Sequence, residues 1–492
     1  MLSVGQLLGA GMYSVPGSVL SSVGSIGLFL LYWVLGPLIA YCGLHIYVEF
    51  ASLFPNRSGA EVVYLEQAYP RPRYFIPTVF AFSTVLLSYV HSRFVVHRRY
   101  FLTICNAPVT PYNQIVTALG CLTLVALALG LSTKWSLRLL NLLTFMKILS
   151  TVFMVGLGIA VLAGITRVED PYANFRGIFN GSNSNPNSLA TAFVKINYTF
   201  VGWHNAFNVI GEVKSANPVR TIRKASFISL ALASFLFFFV NLAYVAAIPR
   251  EELRDSGQLV AALFFRRVLG DTWAAKLLPA MVTLSCFGSL FMGNARVIRE
   301  IARQGLLPYS SLFASTKPFG TPLGPLLLKW GTLVVAVLAV PSKDAFNFMA
   351  DLASYPTLIF QVALVVGLLL VRKRNALEGA SPSKYQAPST FIGIFLASSV
   401  LLLVLPWLPP DHGRGDVSFW HATYCVAALI ILAMCALYYY SWLVWLPRLG
   451  GYTVVEEIAE LDGGARATRL RRRYAKSPER QALLGSSSLS GL

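Results

Sequence analysis

Charge is scarce in this chain: of its 492 residues only 12% are Asp, Glu, Lys or Arg, against about 25% in an average soluble domain. With 55% hydrophobic and 13% aromatic residues, a water-soluble fold could not cover the apolar surface, and a polytopic membrane protein is expected. Paired cysteines are missing too. Cys42, Cys105, Cys121, Cys286, Cys425 and Cys435 are scattered through apolar segments without paired spacing and read as small core residues. No glycine-rich nucleotide loop, metal-ligand spacing or nucleophile–histidine pair is present. That excludes ATP-driven transport within this chain and hydrolysis, so no enzyme activity, cofactor or metal is expected.

Acidic residues are the scarcer sign, 21 against 40 Lys and Arg, which leaves a net charge of +19. The placement of the basic residues argues against nucleic acid. They fall in alternate loops: Arg57/Arg71/Arg73, Lys134/Arg138, Lys214/Arg220/Arg223/Lys224, Arg296/Arg299/Arg303/Lys317 and Arg372/Lys373/Arg374/Lys384, together with Arg466, Arg469 and Arg471–Arg473 of the tail. By the positive-inside rule that side, with both termini, is cytoplasmic.

Apolar stretches long enough to span a bilayer recur at 1–22, 25–52, 74–104, 113–132, 136–165, 191–213, 225–248, 272–298, 324–341, 345–371, 390–408 and 419–446, twelve in all. Two of them are interrupted, at Gly9-Ala10-Gly11-Met12-Tyr13 and at Tyr198-Thr199-Phe200-Val201-Gly202-Trp203. Irregular backbone at membrane depth survives only where protein or a polar cavity covers it. Breaks at matching positions of two halves point to a transport site between inverted repeats. Residues 1–165 would then form the first repeat and 191–371 the second, with 372–446 adding two spans. The polar loop 166–190 lies outside and carries the glycosylation sequon Asn180-Gly181-Ser182. From Gly450 the composition turns charged and then Ser/Gly-rich, so 447–492 is read as a disordered cytoplasmic tail.

The chemistry expected at the breaks is that of free backbone. Glycines let Gly9–Gly11 leave helical φ/ψ, and the freed N–H groups, with the positive end of the following half-helix, suit a carboxylate. Pro16 fits the first turn of that half-helix. Carbonyls freed at the end of the first half-helix would accept an ammonium, and the aromatic set beside Gly202 can close over an apolar side chain. Small-residue packing and aromatic packing are the plainer alternatives for the two motifs. Lys147, within Leu142–Leu149, is the clearest intramembrane charge, either a fixed internal cation or a proton carrier, with snorkelling as its alternative. Glu49 and Glu212 are expected in structural ion pairs near cytoplasmic ends, and His204 as a packed or hydrogen-bonded ring.

These residues resemble the amino acid–polyamine–organocation superfamily, specifically its L-type branch and the fungal high-affinity methionine permeases within it. The resemblance covers about residues 4–445. It rests on Gly9-Ala10-Gly11-Met12-Tyr13 with Pro16, on Gly202-Trp203-His204-Asn205 leading to Gly211-Glu212-Val213-Lys214 and Asn217-Pro218-Val219-Arg220-Thr221, and on Leu284-Ser285-Cys286-Phe287-Gly288 through Arg303-Gln304-Gly305-Leu306-Leu307-Pro308. It implies an all-α LeuT-type fold of about twelve spans with a 5+5 inverted repeat, spans one and six broken. An amino acid would bind at Gly9, Ala10, Gly11, Met12, Tyr198, Thr199, Phe200, Val201 and Gly202. Tyr198 falls at the family's aromatic gate, and Lys147 at a lysine that takes the place of a sodium ion in related carriers. The implied activity is sodium-independent, proton-coupled import of methionine or similar neutral amino acids across the plasma membrane. The partners implied are substrate, proton and bilayer, with no heavy-chain subunit. A neutral amino acid exchanger and a non-transporting receptor or inactive homologue are the competing readings.

Three features depart from the pattern. Ala10 stands where the family has a hydroxyl residue, and Ser215-Ala216 interrupts the usual Lys-Asn-Pro spacing. The third is the basic run His91–Arg99 inside span three, where each central arginine costs about 2.5–3.5 kcal/mol. Either several of these arginines face water or the run is a sequence or splicing error, the favoured reading. Met1–Gly9 is too short to cross much of a bilayer, so a truncated start or a wrong gene model is expected as well.

Overall fold

The structure is a computed structural model that describes residues 7–8, 11–55, 57, 59–87, 101–102, 108, 110–213, 215–257, 259–270, 272, 294–317, 319–339, 345–410, 420–460 and 466–474. The expectations for Gly9, Ala10, Cys105, the run His91–Arg99 and most of span eight lie outside the described residues. The remainder is mostly helical. In chain order it has α1 (Gly11–Ser14), α2 (Pro16–Val23), α3 (Ile26–Leu53), α4 (Glu61–Ala68), α5 (Phe75–Leu87), α6 (Pro111–Gly130) and α7 (Thr133–Leu162). Then come α8 (Pro186–Phe200), α9 (Pro218–Ala247), α10 (Arg250–Asp255), α11 (Val260–Leu269), α12 (Leu323–Ala339), α13 (Ala345–Leu377), α14 (Ser389–Val404) and α15 (Thr423–Tyr439).

Among the described residues, seven helices are long and apolar enough to cross a membrane: Ile26–Leu53, Pro111–Gly130, Lys134–Leu162, Pro218–Ala247, Phe348–Leu377, Ser389–Trp407 and Thr423–Leu449. Phe75–Leu87 and Leu323–Val335 are apolar but shorter. Each matches a stretch predicted from the sequence. The two interrupted stretches are in pieces, which is why they do not join the long helices. Pro16 opens α2 at its first position, and Pro186 opens α8 behind Asn185, whose side chain accepts from the N–H groups of Asn187 and Ser188. Missing donors and filled caps at these N-termini are what start a short helix cleanly.

The core lies where the broken pieces meet the long helices. Trp33 of α3, Phe200 of α8 and Phe237 of α9 form one aromatic cluster, with ring centroids 5.2–6.3 Å apart. Close approach depends on missing side chains. A Cβ on Gly36 of α3 would collide with Ile196 of α8, and one on Gly158 of α7 with Ala243 of α9. Between membrane helices such small-residue seams replace the hydrophobic drive that water would supply.

The tail departs from the expectation of disorder. Tyr452–Glu460 (β1) and Arg466–Tyr474 (β2) pair as an antiparallel hairpin in which Val455 faces Arg471 and Glu457 faces Arg469. Composition missed what alternation supplies: Leu470 packs against the buried cluster that includes Ile298, Ile301 and Leu306, while its N–H donates to the Gln304 carbonyl at 3.0 Å. Arg472 lies over the rings of Trp442 and Tyr452 at 4.8 and 5.0 Å. The hairpin also makes the fold other than purely α-helical.

Candidate functional site

The second break is visible in the backbone. Helix α8 ends at Phe200, Val201 is extended, and Gly202 has φ +110°, a conformation that L side chains rarely adopt. A 3₁₀ helix over Asn205–Glu212 follows, and the chain re-enters a long helix at Pro218. Of the first break, Gly11, Met12 and Tyr13 are described. They start α1, separated from α2 by Val15.

The two breaks touch. A Cβ built on Gly11 would lie 2.7 Å from Thr199 Oγ1, 2.9 Å from its Cγ2 and 3.0 Å from its Cα, so the Thr199 side chain sits directly on the bare Gly11 backbone. The same hydroxyl donates to the Lys195 carbonyl at 2.9 Å. Met12, Tyr198, Thr199, Phe200 and Gly202 are buried and Val201 is half-buried. Of the predicted site residues that are described, the structure brings Gly11 and Thr199 into contact across the two breaks.

Lys147 is fully buried in α7. It is linked to the first break by hydroxyls: Thr151, one turn on, donates to the Lys147 carbonyl at 2.8 Å, and Tyr13 reaches Thr151 Oγ1 at 3.0 Å. An ammonium buried at membrane depth is costly and is kept where it acts on something nearby.

Glu49 forms the structural pair expected of it. Its carboxylate accepts from Arg372 Nε at 2.8 Å and Nη2 at 2.6 Å, and from the Ala387 N–H at 2.7 Å. Asn180 is exposed in a turn of the loop between α7 and α8, open to modification. His204 is packed, but not among apolar groups alone. Its Nε2 lies 3.2 Å from Glu61 Oε1, the same oxygen that accepts from the Tyr47 hydroxyl at 2.9 Å.

Among the described residues, four buried acidic or basic side chains escaped the sequence reading, Asp351 of α13 at 2% exposed being one of them. Lys195 of α8 is 1% exposed, four residues before Thr199. Lys329 of α12 is 0% exposed and donates to the Val85 carbonyl of α5 at 2.9 Å. Both carried the signal that singled out Lys147, a lone lysine in an apolar run. Glu61 carried none, since it opens a helix too short to span a bilayer, just after the loop that holds Arg57 and Gly59.

The broken spans, their closed junction and the intramembrane lysine beside it define a membrane transport protein, and the family model described as amino acid permease matches residues 1–444. The chain belongs to the amino acid permease family. It is 33% identical over 464 residues to the high-affinity methionine permease of Saccharomyces cerevisiae, covering 92% of this chain and 79% of that protein. It is 25% identical to the low-affinity methionine permease of the same yeast, over 94% of this chain and 85% of the relative. With the human cystine/glutamate transporter it shares 27% identity over 75% of this chain and 72% of that one. This is a transport family and not one of enzymes.

Proposed function

We propose that this protein is a secondary active carrier that imports methionine or a similar neutral amino acid across the plasma membrane together with a proton. The observation that carries the reading is the close packing of Thr199 on Gly11 at the junction of the two interrupted spans. A free amino acid offers a carboxylate and an ammonium on one carbon. The freed N–H groups of Gly9–Met12 would take the first, and the carbonyls that end the half-helices would take the second. Tyr198, buried beside them, would act as the gate, while Phe200, Val201 and Gly202 shape an apolar side-chain pocket.

In this reading the fold is of the LeuT type, with about twelve spans. Residues 1–165 and 191–371 are the inverted repeats, 166–190 the outside loop and 372–446 the added spans. Both termini are cytoplasmic, and no heavy-chain subunit is required. Lys147 occupies the sodium-like position and exchanges a proton as the site opens and closes. The identity to methionine permeases supports the substrate class. The L-type relatives keep one alternative in play, obligate exchange of neutral amino acids.

Uptake of labelled methionine into proteoliposomes, with and without an inward proton gradient and internal amino acid, separates the two. Import coupled to protons needs the gradient and no internal substrate, whereas exchange needs the reverse, and binding without uptake would indicate a receptor. In the same assay methionine methyl ester and N-acetylmethionine should fail to compete, while other medium apolar amino acids compete in part. Apolar pockets discriminate only about 1–3 kcal/mol per methylene. Equal competition by the methyl ester would remove the carboxylate from the recognition scheme.

A further inference from the structure

The Glu61–His204 pair has no part in the substrate site as described above, yet it joins three elements at the second break. His204 follows Gly202 by two residues, where the chain turns into the 3₁₀ helix. Glu61 opens α4, and Tyr47 comes from α3. The Glu61 side chain is 8% exposed and that of His204 14%. One carboxylate oxygen receives both neighbours, Tyr47 at 2.9 Å and His204 Nε2 at 3.2 Å. On its other edge His204 Nδ1 is buried without a hydrogen-bond partner among the described residues.

That asymmetry has a chemical reading. A carboxylate beside Nε2 keeps the proton of a neutral imidazole on that nitrogen, and Nδ1 is then a bare lone pair. The pair in this state carries one net negative charge in a poorly solvated place. A proton added at Nδ1 makes an imidazolium and cancels that charge. It also creates a buried N–H with nothing to receive it, and an unpaired buried donor is expensive. The cost is relieved when the turn after Gly202 moves and lets Nδ1–H reach water.

We infer that His204 Nδ1 is a proton-binding site of the inner gate, held in register by Glu61 and Tyr47. The proton arrives while the junction of the breaks is closed, favours movement of the turn after Gly202 so that Nδ1–H reaches water with the Glu61 contact kept, and leaves to cytoplasmic water once the turn has opened. The neutral ring then returns to its buried place. No bond other than N–H is made or broken.

The groups facing the pair are few. From α3 there is Tyr47, and from α4 Tyr64, whose ring stacks on Phe50 and meets Tyr47 edge-on. The neighbours of His204 along the broken span, Trp203 and Phe207, do not titrate. Arg57 and Glu66, the nearby charges of this loop and helix, are bonded to each other at 2.9 and 3.1 Å. The Gly59 N–H, just ahead of α4, donates to the Asn208 carbonyl at 3.3 Å, so α4 and the 3₁₀ helix are bound side by side next to the pair. Among the described residues, His204 is thus the group at this junction whose ordinary titration range spans physiological pH.

The inference rests on the proton-coupled reading, with Lys147 titrating at the substrate level and His204 at the inner gate, and its test separates the two. Asn208→Cys is made in the parent chain, in His204→Gln and in Glu61→Gln. The added labelling by an impermeant maleimide is then measured from the cytoplasmic face across the histidine range, corrected by an exposed reference thiol. Labelling should speed several-fold on acidification in the parent. His204→Gln should be flat, and Glu61→Gln, which keeps a titrating ring but loses its carboxylate, should respond only at lower pH. A flat parent, or a pH response that survives His204→Gln, overturns the inference. The second arm is proton-driven methionine uptake by the parent proteoliposomes. No uptake beside an intact labelling response overturns the carrier reading and leaves the proton site standing, whereas uptake beside a flat labelling profile does the opposite.

Discussion

Gly11 meets Thr199 so closely that a single methyl group has no place between them. Replacing Gly11 by Val adds three carbons at the junction and a β-branched preference against the unwound turn. Uptake should fall to background while surface expression holds, measured by labelled methionine flux beside cell-surface biotinylation; normal flux would make the contact mere packing. Glu49 makes a different kind of residue-scale statement. It accepts three hydrogen bonds with only 1% of its side chain exposed, so Arg372→Met leaves a carboxylate without its cation. Removing one partner of a buried pair costs about 3–5 kcal/mol, and because Arg372 is itself 26% exposed the lower end applies. A thermal unfolding assay in detergent should register the loss, and the double variant Glu49→Gln/Arg372→Met should recover part of it. At this scale the sequence was readable where chemistry is conspicuous. Lys147 stands out in its apolar run, and Glu49 could be assigned to an ion pair by its position near a helix end. Glu61 could not be found that way, because its importance comes from His204 and Tyr47, which lie 143 and 14 residues away along the chain and meet it only in three dimensions.

At the scale of elements, the interruptions were legible because glycine and proline act locally. The break at Gly202 and the helix starts at Pro16, Pro186 and Pro218 follow from φ preferences that need no partner. Gly202→Ala tests this directly. With φ at +110° a Cβ is strained by about 1–3 kcal/mol, and the expected outcome is impaired transport, together with a lower melting temperature, that Gly202→Ser shares. The hairpin was not legible, since its alternation is short and its anchor is distant. Leu470 packs against the cluster that includes Ile298, Ile301 and Leu306, and nothing in the composition of the tail points to that surface. Leu470→Asp should therefore release β2. Limited trypsin digestion, monitored by mass spectrometry, would then cut at Arg469–Arg473 well ahead of the parent protein, and equal cleavage rates would mean that the strand pair stands without its anchor.

At the scale of the whole molecule the spans were legible from length and apolarity, whereas their arrangement was not, because any apolar helix satisfies a bilayer and only shape decides neighbours. The proposal for Lys147 belongs here, as it concerns the coupling of one gradient to another. Lys147→Met keeps length and apolarity and removes charge and titration. Accumulation driven by a proton gradient should vanish in proteoliposomes, with equilibrium binding of methionine retained. Full accumulation would return this lysine to a structural role.

The clamp between Glu49 and Arg372 bears on how such a cycle can move. It fastens the end of α3 to α13, and the Tyr69 hydroxyl, just past α4, adds a second tie to the Ala363 carbonyl of α13 at 2.7 Å. These helices fall in different repeats of the proposed architecture. A motion that parted the halves along their sequence boundary would tear a buried carboxylate from its cation in every turnover. In the proposed carrier the line of motion would then run elsewhere, with α3 and α13 travelling together as one body and the short pieces on either side of Gly11 and Gly202 swinging against it.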